Sequence, residues 1–278
     1  MKGKCCFTKL NLYLRILSVE YLKSIHLQIL SLNDRAYLFH YNISMTSEEL
    51  TVLKNDVNKL LEIYNADKPI NNDGTFDTEK IKTVTCRMID SSLSSSDAEK
   101  LKGWMESHEF WTSPASSKFH CNVKGGLSAH SLMVAYQALV FAVPVMENFA
   151  ETKRAAAFSF TASDVFIAAI AHDFCKAGFY QTEFRHTKNL SGNWTYEPYF
   201  KVKADSRNLG HGNESVLNLI EAIPEYITKR PVLEAISRHM GFSDVSENES
   251  YNYSNFLQNP LVILIQLADQ TAAQWWDC

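Results

Sequence analysis

The sequence predicts an all-α fold, a helical bundle interrupted by one short insertion that resembles a β-hairpin. Three observations indicate this class. Apolar residues recur every three or four positions over most of the chain after residue 45. Residues that favour helix N-caps, and glycines that favour helix ends, bound these apolar segments. The helical pattern breaks only over 179–207, where a Ser191-Gly192-Asn193 turn separates two strand-like runs.

Residues 45–109 are predicted to form a helical accessory region. Thr46 and Glu49 have the spacing of a capping box, which marks the start of a helix. Apolar residues then follow with a helical period, and 65–78 is a polar loop. Two more helices are expected at about 79–92 and 97–108.

The first 44 residues have a different character from the rest of the chain. They contain one glycine, no proline and no clear helix cap. We interpret 1–44 as an N-terminal extension of doubtful role, with Met45 as the natural start. An accessory layer of helices is an equally good interpretation, and both stay open.

Residues 110–278 carry the strongest helical signals. Ser163 is predicted to cap one helix, and Asn259 another that has Pro260 at its first position. Gly178 and Gly241 are natural stops. The helices are expected at about 127–148, 163–175, 211–222, 229–240 and 260–276.

Composition limits the partners and the cellular setting. The net charge is −4 and the pI is near 6.1, so the basic excess of a long nucleic-acid groove is missing. The six cysteines form no CxxC pair and are read as reduced thiols of a cytoplasmic protein. The most apolar stretch near the start, Leu10 to Leu32, is interrupted by charged residues, so we expect no membrane partner.

Six potential metal ligands lie within or beside apolar helices of the second half. A carboxylate such as Asp269, which follows eight mostly apolar residues, is costly to bury without a cation. A lone histidine is more often structural, but six such residues in successive helices favour a metal site. Imidazole and carboxylate suit one or two divalent ions of manganese, iron, nickel, cobalt or zinc. The six residues are His130, His172, Asp173, His211, His239 and Asp269.

The order His…His-Asp…His…His…Asp over about 110–276 resembles the HD-domain metal-dependent phosphohydrolase superfamily. The runs Lys118-Phe119-His120 and Gly125-Gly126-Leu127-Ser128-Ala129-His130 are similar to the HD domain of bacterial 3′→5′ exoribonucleases and of related stand-alone bacterial and phage HD proteins. His120-Cys121 stands where those enzymes tend to have two histidines. The oligonucleotide-binding barrel that precedes their HD domain has no counterpart in 1–109, which favours a smaller substrate.

The resemblance implies a function and a ligand set. Residues 110–278 would form an HD-domain helical bundle that hydrolyses the phosphoester of a nucleotide, or of a similar small phosphorylated substrate, with a metal-activated hydroxide. The first histidine, the His-Asp pair and the last aspartate would hold one metal. His211 and His239 would accompany a second, with Asp173 as the bridge between them. One metal, with His211 and His239 contacting substrate, remains an alternative.

Further residues are candidates for contact with the substrate. Lys176 and Asp173 are the predicted catalytic residues. Lys176 follows the His-Asp pair by one turn and could neutralise phosphoryl charge, while Asp173 would hold the metals. The 179–207 insertion is rich in aromatic and basic residues and is predicted to be a lid, in which Tyr180, Tyr196, Lys203 and Arg207 are further candidates. The substrate-binding residues that we predict are Lys118, His120, Arg185, Lys188, Trp194, Tyr199 and Lys201.

Two other functions stay open. The same six ligands occur in di-iron oxygenases of the superfamily, and a non-catalytic nucleotide-binding module could keep the fold. Lys176 and the basic insertion argue for a phosphate, and the complete ligand set argues against a pure binding role. The sequence makes no prediction of the oligomeric state.

Overall fold

The computed structural model describes residues 45–188, 190–206, 209–244 and 247–278. That part of the chain contains nine α-helices, three short 3₁₀ turns and one two-stranded sheet, so the mostly helical class is confirmed. Our interpretation of 1–44 and the lid residue Arg207 lie outside the described residues. The helices are α1 (Ser47–Asp67), α2 (Thr78–Ser92), α3 (Ser95–Ser107), α4 (Gly126–Ala150), α5 (Ala162–Ala171), α6 (His211–Ala222), α7 (Arg230–Ser237), α8 (Glu247–Phe256) and α9 (Pro260–Trp275).

Each of the first three helices begins at a polar cap. The capping box before α1 is formed, because the Glu49 amide donates to Thr46 Oγ1 at 3.1 Å and the Thr46 amide donates to Glu49 Oε2 at 2.7 Å. Asp77 caps α2 and Ser94 caps α3 in the same way, through their side-chain oxygens. The predicted helices at 79–92 and 97–108 therefore begin within two residues of the observed ones.

Helix α4 is the centre of the molecule and packs against α1, α2, α5 and α9. One continuous apolar cluster runs from Leu53 in α1 to Ala272 in α9, so the 45–109 region shares its core with the rest. By length and composition α4 could cross a membrane, but 67% of its most apolar window is buried inside the protein. A buried core helix passes the same test, so this is weak support for a membrane span.

Three predicted helix boundaries were wrong near the candidate site. Thr161, not Ser163, caps α5, and Ser163 Oγ instead donates to the Ser92 carbonyl. Helix α5 ends at Ala171 and a 3₁₀ turn follows at Phe174–Lys176, because Asp173 leaves the helical region with φ −110° and ψ 21°. Helix α7 likewise ends at Ser237, before the predicted 240. Apolar periodicity continues through such turns and cannot locate them.

The predicted insertion is a β-hairpin of strands β1 (Tyr180–Lys188) and β2 (Trp194–Val202). The strands are antiparallel, and Glu183 pairs with Tyr199. The base of the hairpin is tied to the body of the protein, because the Gly178 amide donates to Ser113 Oγ at 2.9 Å. The hairpin therefore lies beside the segment that precedes α4. It starts at Tyr180, after the 3₁₀ turn that follows the His172-Asp173 pair.

Candidate metal centre

Five elements bring the six predicted ligands to one place. His130 lies in the first turns of α4, His172 and Asp173 follow α5, and His211 begins α6. His239 comes from the turn after α7, and Asp269 from the middle of α9. The six ligands fall into overlapping groups whose ligand atoms lie within 4.8 Å of one another, and each such group could hold a metal ion.

The carboxylate of Asp173 lies between two sets of imidazoles. Its Oδ1 lies 2.6 Å from His211 Nε2 and 3.6 Å from His239 Nε2. Its Oδ2 lies 3.3 Å from His172 Nε2 and 3.7 Å from His130 Nε2. Each oxygen of one buried carboxylate thus faces its own histidine pair, an arrangement suited to a group that bridges two cations.

A second carboxylate, that of Asp269, is nearest to the pair of His130 and His172, and it also forms a possible metal-binding group with His172 and His239. Asp269 Oδ1 lies 3.2 Å from His130 Nε2 and 3.8 Å from His172 Nε2. The side chains of Asp269 and His211 are 18% and 24% exposed, whereas those of the other four ligands are at most 2% exposed. The cluster therefore opens to solvent on the side of Asp269 and His211.

Backbone carbonyls determine which nitrogen of three ligand histidines is available. Nδ1 of His130 donates to the Cys278 carbonyl at 2.8 Å, and Nδ1 of His172 donates to the Ala169 carbonyl at 2.6 Å. Nδ1 of His239 donates to the Ile236 carbonyl at 2.7 Å. A carbonyl only accepts, so Nδ1 keeps its hydrogen and a neutral ring presents the lone pair of Nε2 to the cluster. Metal-binding histidines are usually oriented in this way.

The inward-facing nitrogens require a proton or a cation between them. Nε2 of His130 and Nε2 of His172 are only 3.2 Å apart. Two lone pairs at that distance repel each other unless a positive centre lies between them. Nε2 of His239 is buried and has no hydrogen-bond partner among the described residues. These nitrogen lone pairs, together with two carboxylates, fit a divalent transition-metal ion.

Burial and the charges of the cluster shift the pKa values of its two closest histidines, His130 and His172, in opposite directions. Burial lowers the pKa of His172 and outweighs the Asp173 carboxylate, which raises it. Burial also opposes a proton on His130, but its contact with the Asp269 carboxylate prevails and the pKa is raised. Burial alone would raise the pKa of Asp173, yet the charge of Lys176 and the nearby histidines hold it well below its usual range. Burial thus prevails at His172 and the carboxylate field at His130, while the net effect at Asp173 favours its ionised form.

Lys176 reaches the same carboxylate that the histidines face. Its Nζ lies 2.6 Å from Asp173 Oδ2, and its side chain is only 14% exposed. The ammonium group neutralises one of the two buried carboxylate charges. It would compete with a metal ion for Asp173 Oδ2 and, if displaced, would remain as a cation at the edge of the cluster.

Cys175, which the sequence places beside the proposed metal site and which we expected to be an ordinary small buried residue, lies close to the cluster. Its Sγ lies 3.6 Å from His211 Nδ1, and with Asp173 and His211 it forms a further group that could hold a metal. Burial raises the pKa of the Cys175 thiol to about 12, so the sulfur stays protonated at neutral pH. Its position two residues after Asp173 was the only available sequence signal.

The predicted substrate-binding residues separate into three places. His120 borders the cluster, because its ring centroid lies 4.7 Å from that of His130. Lys188 and Trp194 form a cation–π pair near the hairpin turn, with Nζ 5.1 Å from the ring, away from the other candidates. The remaining four line a cavity of about 1230 Å³ between the hairpin and the segment before α4. These are Lys118, Arg185, Tyr199 and Lys201.

Comparison with protein-family models, curated proteins and solved structures finds no match to this chain.

Proposed function

We propose that this chain is a metal-dependent phosphohydrolase of the HD-domain superfamily. It would act in the cytoplasm on the phosphoester of a nucleotide or of a similar small phosphorylated substrate. The observation that carries the proposal is the buried Asp173 carboxylate, whose two oxygens face separate histidine pairs. A positive side chain, Lys176, lies at the same carboxylate and supports a phosphate as the reacting group.

The residues would hold one or two ions of manganese, iron, nickel, cobalt or zinc. His130, His172, Asp269 and one oxygen of Asp173 would hold the first ion. His211, His239 and the other oxygen of Asp173 would hold the second. When bound, a divalent ion supplies a Lewis acid that polarises a phosphoryl oxygen and makes water a stronger nucleophile near neutral pH.

The side chains themselves would orient the substrate and exclude water. Four of the six ligands are almost fully buried, so among the described ligands Asp269 and His211 offer a phosphoryl group the most accessible side. The carbonyl partners of the histidines keep the rings fixed during this approach. The Lys176 ammonium, which lies at the Asp173 carboxylate, would hold a phosphoryl oxygen and offset charge that develops on it.

Phosphate-release assays test the proposal. Protein loaded with manganese or iron would be screened with nucleotides and cyclic dinucleotides. Phosphate release would be measured for the nucleotides, linear products would be separated by chromatography for the cyclic dinucleotides, and oxygen uptake would be measured for both. We expect metal-dependent hydrolysis that Asp173→Asn abolishes and that the control Asp56→Asn, an exposed charge on α1, leaves unchanged. Equal turnover by wild type and Asp173→Asn would contradict the proposal. Substrate-dependent oxygen uptake without phosphate release would support the di-iron oxygenase instead.

A further inference from the structure

A large cavity lies outside the metal centre, between the hairpin and residues 112–124. Its volume is about 1230 Å³, and none of the six proposed metal ligands lines it. One wall comes from both strands of the hairpin and the other from the irregular segment before α4. This volume is large enough for a ligand the size of a nucleotide, since pockets for small ligands commonly measure about 300–1,000 Å³.

The cavity is positively charged although the chain as a whole is acidic. Glu109 is the only acidic residue among those lining it. It lies 3.7 Å from Lys203, and Lys201 is paired at 3.2 Å with Glu183 from outside the lining. Arg185 lies 4.0 Å from Glu197, so three of the five cations that line the cavity have an acidic partner. The remaining excess of two cations raises the local concentration of anions in a cleft. The five cations are Lys118, Lys124, Arg185, Lys201 and Lys203.

Two of these cations have no partner of their own. Lys118 and Lys124 are exposed, and neither forms an ion pair with any residue that the structure describes. Both come from the segment before α4, facing the hairpin wall across the cavity. Like charges gathered in one cleft repel each other, so an anion that bridges them would be stabilised.

Aromatic side chains complete the wall on the hairpin side. The Tyr199 hydroxyl donates to Glu183 Oε2 at 2.6 Å, which fixes the ring, and the Arg185 guanidinium lies 5.7 Å from its centroid. Tyr180 and Phe200 also line the cavity. A planar base can stack on such rings while its phosphates meet the lysines opposite.

Both walls adjoin residues that lie near the metal centre. The segment that carries Lys118 and Lys124 also carries His120, whose ring lies 4.7 Å from that of His130. On the other wall, Tyr180 begins β1 four residues after Lys176, and it lies within the electrostatic field of Lys176 and Asp173. Each wall of the cavity is therefore adjoined by a residue that lies near the cluster, His120 on one side and Lys176 on the other, although neither of these two lines the cavity itself.

We propose that this cavity binds the non-reacting part of the substrate, and that this part carries a phosphate of its own which Lys118 and Lys124 recognise. The substrate class would then be nucleotides with two or more phosphates, in preference to nucleoside monophosphates. The catalytic half of this inference rests on the proposed function, whereas the binding half does not.

Calorimetric titration of metal-free protein in EDTA tests the binding half, because no metal can then hold the phosphates. The probes are ADP, AMP and inorganic triphosphate, and the variant is Lys118→Ala/Lys124→Ala. The matched control, Lys54→Ala/Lys59→Ala, removes two exposed charges from α1. We expect ADP to bind at least about tenfold more tightly than AMP, and the variant but not the control to lose this preference.

Several outcomes would overturn the inference. These are equal affinities of wild type for ADP and AMP, an unchanged preference in the double variant, or an equal loss in the control. Tighter binding of a short single-stranded RNA than of ADP would also overturn it, because the cavity would then be a site for a polymer and not for a small nucleotide. Melting curves of both variants should match wild type, because the substituted lysines are exposed.

Hydrolysis assays separate this inference from the proposed function. Metal-dependent hydrolysis whose KM is unaffected by Lys118→Ala/Lys124→Ala would refute the inference and leave the function intact. Selective ADP binding without metal-dependent hydrolysis of any nucleotide would refute the function and leave the binding site intact. A rise in KM of about tenfold with little change in kcat is the result that we expect.

Discussion

The carboxylate of Asp173 contacts both histidine pairs of the cluster, through a different oxygen for each. Its buried charge is tolerated because Lys176 lies 2.6 Å from Oδ2 and imidazoles surround both oxygens. Without a metal, Lys176 is the only fixed positive charge that contacts this carboxylate among the described residues. The same lysine should therefore matter for stability when metal is absent and for chemistry when metal is present.

Replacing Lys176 by alanine should destabilise the metal-free protein by about 3 kcal/mol, because it removes the ammonium partner of the buried Asp173 carboxylate. Manganese should reverse most of this loss, since the ion replaces the missing charge. Urea denaturation in EDTA and in manganese measures both effects. The control Lys102→Ala breaks an exposed pair with Asp90 and should cost less than about 1 kcal/mol. Equal losses in the two variants would contradict this role for Lys176.

At the scale of elements, most ligands occur where a helix begins or ends. His172 caps α5 and Asp173 lies in the turn beyond it, while His211 is the first residue of α6. The sequence predicted these residues because ligand-type side chains within apolar helices need a physical reason. It missed α8, whose residues are mostly polar and give no apolar period.

Other parts of the site depend on contacts that no local pattern contains. The His130 ring is oriented by the carbonyl of Cys278, which is 148 residues away in sequence. The cation–π pair of Lys188 and Trp194 at the hairpin end follows from strand register, which residue types alone do not fix. The composition of the insertion predicted a basic and aromatic wall, but it could not show which of these residues share a cavity.

The hairpin should depend on Glu183, which accepts hydrogen bonds from Tyr199, Lys201 and Gln181. These bonds, that of Tyr199 foremost, lower the pKa of Glu183 below its ordinary value. Its stabilising effect is thus complete above the unfolded pKa and is lost only as pH falls through the lower folded pKa. Glu183→Gln should accelerate amide exchange in β1 and β2 at neutral pH. Unchanged exchange, measured by mass spectrometry, would contradict this.

At the scale of the whole molecule, one core joins the helices that carry the ligands to the helices that support them. Helix α4 provides His130 on one side and packs against α1 and α2 on another. The three helices of 45–109 contribute no cluster ligand, yet α1 and α2 bury the face of α4 that would otherwise meet solvent, and α3 packs against α2 and α6. The geometry of the cluster therefore depends on the packing of the whole described domain.

Deleting residues 1–44 should leave the fold and metal content unchanged. The capping box of α1 is made between Thr46 and Glu49 and needs nothing upstream. Circular dichroism, melting temperature and bound metal of the 45–278 chain check this expectation. An insoluble or metal-free product would show that the first 44 residues belong to the fold.

The most direct test of the account is the metal content of the purified protein, measured by inductively coupled plasma mass spectrometry after loading with manganese or iron. The account predicts one or two equivalents in wild type and in Asp56→Asn. It predicts that Asp173→Asn, which alters the carboxylate facing both histidine pairs, loses most of the bound metal. A wild-type protein without bound metal, or a variant with full occupancy, would contradict it.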